Sequence, residues 1–381
     1  MGNSQEIRAD SAAADVRIDD VSRPGSGLAP QPVRRHFKEI ELVRAVAILS
    51  VILLHSASPV LYRYGAIAPG VWLTHCVVDA AVRFCVPLFF MASGFLLLSP
   101  VAKAEDRPFR ELGRRLLRIG APLVAWSIFY PLATGNGQPI SPSVIWQAFL
   151  RVFEGAAVYH LWFLYELAVL YVLIPVFRAL FTNGTRAGSY FVGVWLAWAA
   201  MKLVTQLAGY PNWISNFVVL GNSGYLVAGF LIRQLYSVPS RKLTLSAAFV
   251  YVVSTAAIVL MTLRASEKAG AFSEQFFVYS TFPVIAQSIG MFIVLIKLAH
   301  FLNASSLTMR SISTFAGVSF GVYFVHVLFL ERVGYNVVGS PSGSAVDALS
   351  AIISTAAYAT VLSWLVAWAL SLVRPTRWLV S

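Results

Sequence analysis

Ten mostly apolar stretches recur along this chain, each separated from the next by a short polar segment. They lie near residues 40–62, 71–99, 117–133, 159–182, 188–207, 217–236, 244–264, 277–302, 312–332 and 347–373. A helix needs roughly twenty apolar residues to cross the hydrocarbon core of a bilayer. Backbone groups inside lipid must be satisfied within the protein, which leaves helices and closed barrels as spanning structures. Apolar runs of this length specify helices, so the fold class is all-α: a polytopic membrane protein with about ten transmembrane helices. Residues 144–158 (VIWQAFLRVFEGAAV) read differently. Their apolar and polar positions divide between two helical faces, which predicts a helix lying along the outer membrane surface.

Composition supports the same class. The chain is 58% hydrophobic and 12% charged, against about one-quarter charged in a soluble domain. Its mean hydropathy is +0.71. The net charge of +12 does not point to nucleic acid, because the basic residues concentrate in short loops between apolar runs. Lys103, Arg107, Arg110, Arg114, Arg115 and Arg118 follow the second run, Arg241 and Lys242 follow the sixth with Arg233 at its end, and Arg374 and Arg377 close the chain. Loops on the other side carry fewer, such as Arg63, Arg151 and Lys268. The positive-inside rule then places both termini in the cytoplasm, which requires an even number of spans.

Residues 1–36 are polar, and five acids (Glu6, Asp10, Asp15, Asp19, Asp20) balance five arginines (Arg8, Arg17, Arg23, Arg34, Arg35). This segment has no apolar signal-peptide core and reads as a disordered cytoplasmic tail. Residues 37–375 form the transmembrane domain and 376–381 a cytoplasmic C-terminal end. Cys76 and Cys85 fall on opposite faces of one helix, which disfavours a disulfide, and their spacing suggests no metal site.

Five groups of polar residues stand inside or beside the apolar runs. Arg44 and His55 share the first. Eleven residues at ~100° each bring them to within about 20° of one another, roughly 16 Å apart along the axis. Ionisable residues at membrane depth are costly and point to function. Pro59 removes the helical donor for the carbonyl of His55, so a bend or an end is expected just beyond the imidazole. Asp79 and Arg83 stand four apart with the acid first, the favourable helical pairing, either as a structural ion pair or as an orienting acid beside an anion-stabilising cation. Ser93 and Gly94 permit close helix approach. Tyr159, His160 and Trp162 open the fourth run, as an interfacial belt or a stacking platform, with Glu166 just inside. Tyr323 and His326 share a face of the ninth. A scaffold needs none of these buried charges. A transporter or flippase for a lipid-linked sugar or small anion would use them, but no inverted repeat is present.

Four segments in this order resemble the integral-membrane acyltransferase-3 family: ELVRAVAILSVILLH, VPLFFMASGFLLL, HLWFLYELAVLYVLIPVF and SFGVYFVHVLFL. The resemblance extends over about residues 36–375 and is to the single-domain O-acetyltransferase branch. It implies transfer of an acyl group, often acetyl, from cytoplasmic acyl-CoA (acetyl-CoA) to a glycan or lipid-linked sugar acceptor, as in exopolysaccharide or lipopolysaccharide O-acetylation at a bacterial inner membrane. By position, His55 matches the family's essential histidine and Arg44 its paired arginine. The R-x-R pair that some members carry near the second span is represented here by Arg83 alone. The expected site therefore has His55, Asp79 and Arg83 in catalysis and Arg44 on the coenzyme. Tyr159, His160, Trp162, Glu166, Tyr323 and His326 would meet the acceptor. Acyl-CoA enters as co-substrate, with no metal. The imidazole acts either as a general base or as a transient acyl carrier.

Overall fold

The computed structural model describes residues 37–98, 108–134, 141–181, 184–210, 221–236, 238–303, 305–331 and 343–380. The tail of residues 1–36, Lys103, Arg107 and the start of the sixth predicted span (217–220) lie outside them. The described residues with regular structure are helical, in the order α1 (Lys38–Leu61), α2 (Pro69–Ala81), α3 (Cys85–Leu97), α4 (Pro108–Thr134), α5 (Pro142–Glu154), α6 (Trp162–Phe181), α7 (Arg186–Leu207), α8 (Ser223–Leu235), α9 (Arg241–Ala269), α10 (Phe282–Phe301), α11 (Leu307–Gly317), α12 (Ser319–Phe329) and α13 (Ala345–Leu372). Serines start several of them. Ser240, Ser306 and Ser344 each accept a hydrogen bond from the backbone N–H three residues on, satisfying a donor that the first turn leaves unpaired. Gly270 ends α9 in the left-handed conformation.

Among the described residues, eight helical segments are long and apolar enough to cross a membrane, and the bent pair α11–α12 makes a ninth. The chain is thus a multi-pass membrane protein. The departures from ten uniform spans have local causes. The second span counts as one segment, Pro69–Leu97, but breaks at residues 82–84. Pro87 sits in the first turn of α3, where its missing N–H costs least, and it cannot donate to the carbonyl of Arg83. The sixth is a helix of 13 residues, Ser223–Leu235, about 20 Å long. The eighth begins at Phe282 rather than 277, because Pro283 sets the first turn and Thr281 before it is extended. The ninth bends by 68° at Val318. Pro59 lies inside α1, which runs on to Leu61, so the helix ends two residues beyond the proline.

Helix α1 lies at the centre, packed against α2, α3, α10, α11, α12 and α13. Its most apolar window is 67% buried, against 17% for α9, which faces outward. The tightest crossing joins α3 and α8. A Cβ at Gly94 would lie 1.7 Å from the Leu226 carbonyl oxygen, and one at Gly229 would lie 2.0 Å from that of Met91. Helix α5 buries only Ala148 and Val152 and is tied to α6 by the Tyr165 hydroxyl, which donates to the carbonyls of Val152 (2.8 Å) and Gly155 (3.0 Å). That matches the predicted amphipathic helix, shortened at its C-terminal end.

Candidate active site

His55, on the central helix, meets two elements that the sequence places far away. Its ring lies 5.0 Å from the Tyr159 ring, edge to face, and 5.5 Å from the His326 ring at an interplanar angle of 29°. His160 completes the group, with its ring 5.3 Å from His326 and 5.4 Å from both Tyr323 and Tyr130. Three histidines from α1, the turn before α6, and α12 thus surround one point. Tyrosines lock the surrounding backbone: the Tyr323 hydroxyl donates to the carbonyl of His160, and the Tyr130 hydroxyl to that of Phe324.

The hydrogen bonds of His326 define its tautomer. Nδ1 lies 2.7 Å from the carbonyl oxygen of Tyr323. A carbonyl only accepts, so Nδ1 carries the proton and Nε2 presents a lone pair. That Nε2 is buried without a hydrogen-bond partner, as are both ring nitrogens of His160. Buried polar atoms are normally satisfied, so an unpartnered set around one point is what a substrate hydroxyl would complete.

Asp79 and Arg83 stand beside this group. The guanidinium is 2.5 Å from the carboxylate and also donates to the Phe277 carbonyl at 3.3 Å, with its carbon 4.3 Å from the Phe277 ring centre. The second carboxylate oxygen accepts from Ser58 Oγ at 2.7 Å. Ser58 is one turn beyond His55, so the acid holds the helix that carries the imidazole. Its hydrogen bonds go to Ser58 and Arg83 rather than directly to an orienting contact with the ring.

Arg44 lies on the same face of α1, toward the other end. Its Nη2 donates to Ser319 Oγ at 3.0 Å, at the bend between α11 and α12. Glu41, one turn before, accepts from Ser313 Oγ. Arg118 of α4 lies close enough for its like charge to act on Arg44. The Glu41 carboxylate acts on Arg44 in the opposite sense. Between Arg44 and His55 the same face carries Ala47, Ile48 and Val51, all buried.

Trp162 and Glu166 lead away from the histidines toward α8 and the loop before α10. The Trp162 ring stacks on Tyr279 at 5.7 Å and 23°, and Glu166 accepts from Asn222 Nδ2 at 2.7 Å. All ten residues singled out in the sequence are therefore in described elements, and His55, Tyr159, His160, Tyr323 and His326 converge. Tyr130, Ser58, Tyr279 and Asn222 join them without having been singled out. Ser58 alone had a local signal, its position three residues from His55 on one face.

A membrane-embedded histidine cluster, with one arginine, Arg44, eleven residues before His55 on the same helix, defines the class: a multi-pass membrane protein with a buried polar centre. The family model described as an acyltransferase domain matches residues 37–368, and the chain belongs to the acyltransferase-3 family. It is therefore a membrane acyltransferase. Comparison with curated proteins gives no match, and neither does comparison with solved structures.

Proposed function

We propose that this protein is an O-acyltransferase of a bacterial inner membrane, with both termini cytoplasmic. It moves an acyl group, acetyl in the first instance, from cytoplasmic acyl-CoA to a hydroxyl of a cell-surface or lipid-linked polysaccharide. The observation that carries this reading is the common face of α1, with Arg44 beside Ser319 at one end and His55 inside the three-histidine group at the other. Arg44 and Arg118 fit the coenzyme's phosphates by charge, and the arginine fork suits phosphate oxygens. The extended pantetheine arm spans on the order of 15–20 Å, which matches the rise from Arg44 to His55. Ala47, Ile48 and Val51 must part to admit it.

At the reacting centre the chemistry balances with the chain's own groups. The acceptor oxygen bonds to the thioester carbonyl carbon while its proton passes to the imidazole of His55. The carbon–sulfur bond then breaks, and the proton leaves with the thiolate as free coenzyme A. Arg83 supplies positive charge near the developing oxyanion, and its ion pair with Asp79 fixes its position. His160 and His326 offer acceptor lone pairs to sugar hydroxyls, and Tyr159 and Trp162 offer aromatic faces.

The test uses purified protein in lipid nanodiscs with radiolabelled acetyl-CoA and a lipid-linked glycan extract. Label in the glycan, removable by mild base, is the expected result. Label-free glycan with intact donor would overturn the reading. Arg44→Ala should raise the KM for acetyl-CoA by about tenfold or more, since it removes a charge-assisted contact, and should leave the acceptor dependence alone. A steady-state series in both substrates checks this, and an unchanged donor KM would move the coenzyme elsewhere.

A further inference from the structure

Lys202 is 5% exposed and lies on α7. Its Nζ donates to Ser280 Oγ at 2.6 Å and stands 5.6 Å from the centre of the Trp198 ring. Among the described residues no carboxylate comes within ion-pair distance of it, and no charged group is close enough to influence it. Burying a charge without a counter-ion is costly, and one hydroxyl and one cation–π contact do not replace an ionic partner. A methionine would fill the same space without that cost.

Neighbouring elements carry further unmet groups. Gln206, one turn along α7, has a buried Oε1 without a hydrogen-bond partner, and so has Oδ1 of Asn222 at the start of α8. The segment Tyr279–Ser280 ties them to the histidine group. Ser280 holds Lys202, the Tyr279 carbonyl accepts from Tyr225 of α8 at 2.6 Å, and the Tyr279 ring stacks on Trp162, two residues from His160. One ammonium without a counter-ion and two amide oxygens without hydrogen-bond partners are carried by the elements around a stacked aromatic pair. Their complement is one oxyanion and two hydroxyl donors on an apolar ring face.

We infer that Lys202, Gln206 and Asn222, with the Trp162–Tyr279 pair, form a subsite for an acidic sugar of the acceptor, its carboxylate on Lys202. This deepens the acyltransferase reading and rests on it for the word acceptor. A lipid phosphate could supply the same oxyanion, so the experiment separates the two sources.

The probes are methyl β-D-glucuronide and methyl β-D-glucoside, titrated by saturation-transfer NMR against the full chain in phosphatidylcholine nanodiscs. Wild type should bind the glucuronide at least about tenfold tighter. Lys202→Met should abolish that preference, and Lys202→Arg should keep most of it. Equal binding or no binding by wild type, or a preference that survives Lys202→Met, overturns the inference. If phosphatidylglycerol in the nanodisc removes the preference, the oxyanion is the lipid's and the sugar assignment falls. Calorimetric titration with acetyl-CoA on the same samples separates the readings. Donor binding without glucuronide preference defeats the subsite alone. A preference without donor binding defeats the acyltransferase reading and leaves an acidic-sugar site.

Discussion

Replacing His55 with alanine should lower kcat/KM for acyl transfer by about 10²–10⁴-fold, the range expected when a positioned proton acceptor is removed. The protein should still insert and fold. The imidazole meets other rings at 5.0 and 5.5 Å, whereas the backbone around it is held by groups that the substitution leaves intact. Those are the Ser58–Asp79–Arg83 chain and the tyrosine hydroxyls on the carbonyls of His160 and Phe324. Transfer of label from acetyl-CoA, with size-exclusion profile and helical circular dichroism as controls, measures the effect. Wild-type turnover by the variant would end the assignment of this residue. Rapid quenching of wild type distinguishes its two chemical roles. A trapped acyl-protein with ping-pong kinetics excludes a simple base, and its absence with sequential kinetics excludes the carrier.

Gly94→Val and Gly229→Val should each prevent a properly packed protein from accumulating. In both cases the first added carbon would fall at 1.7–2.0 Å from a carbonyl oxygen of the facing helix. Backbone atoms cannot rotate aside as a side chain can, so α3 and α8 would have to separate. Overpacking in a core typically costs 1–3 kcal/mol, and a backbone obstacle puts these variants at or above the upper end of that range. The damage should reach the site. Helix α8 carries Asn222, which holds Glu166, and Arg233, which donates to the Phe95 carbonyl at 2.6 Å. Fluorescence-detected size exclusion after a heating series would record the loss. An unchanged melting midpoint for either variant would show that the crossing is looser than these distances imply.

The spans were legible because the bilayer asks a simple question of each segment, namely whether some twenty residues in succession are apolar. Direction is not part of that question. Hydropathy therefore finds residues 71–99 and 312–332 but is blind to the break at 82–84 and the 68° bend at Val318. Both depend on how flanking helices take up the freed backbone. Proline was an uneven guide. Pro87 marks the break, whereas Pro59 is absorbed by α1.

In the site, Arg44 and His55 could be read together because they share one helix and its period connects them. Tyr323 and His326 could be paired for the same reason. Lys202, Tyr130 and Tyr279 owe their positions to contacts between helices, and no spacing within α4 or α7 announces them. Asp79 shows the limit from the other side. Its pairing with Arg83 follows from the spacing, but its grip on Ser58 follows only from the α1–α2 contact.

The close-packed Ala47, Ile48 and Val51 along α1 have an electrical consequence. On the proposed function, a cytoplasmic thioester would meet an acceptor on the far side, across the potential that powers the cell. A standing water-filled passage between those compartments would short-circuit it. Hydrocarbon between the guanidinium and the imidazole offers no stepping-stone for hydronium or alkali cations along this face of α1. On the same proposal the gap would open only while the pantetheine arm fills it, and that arm is no conductor.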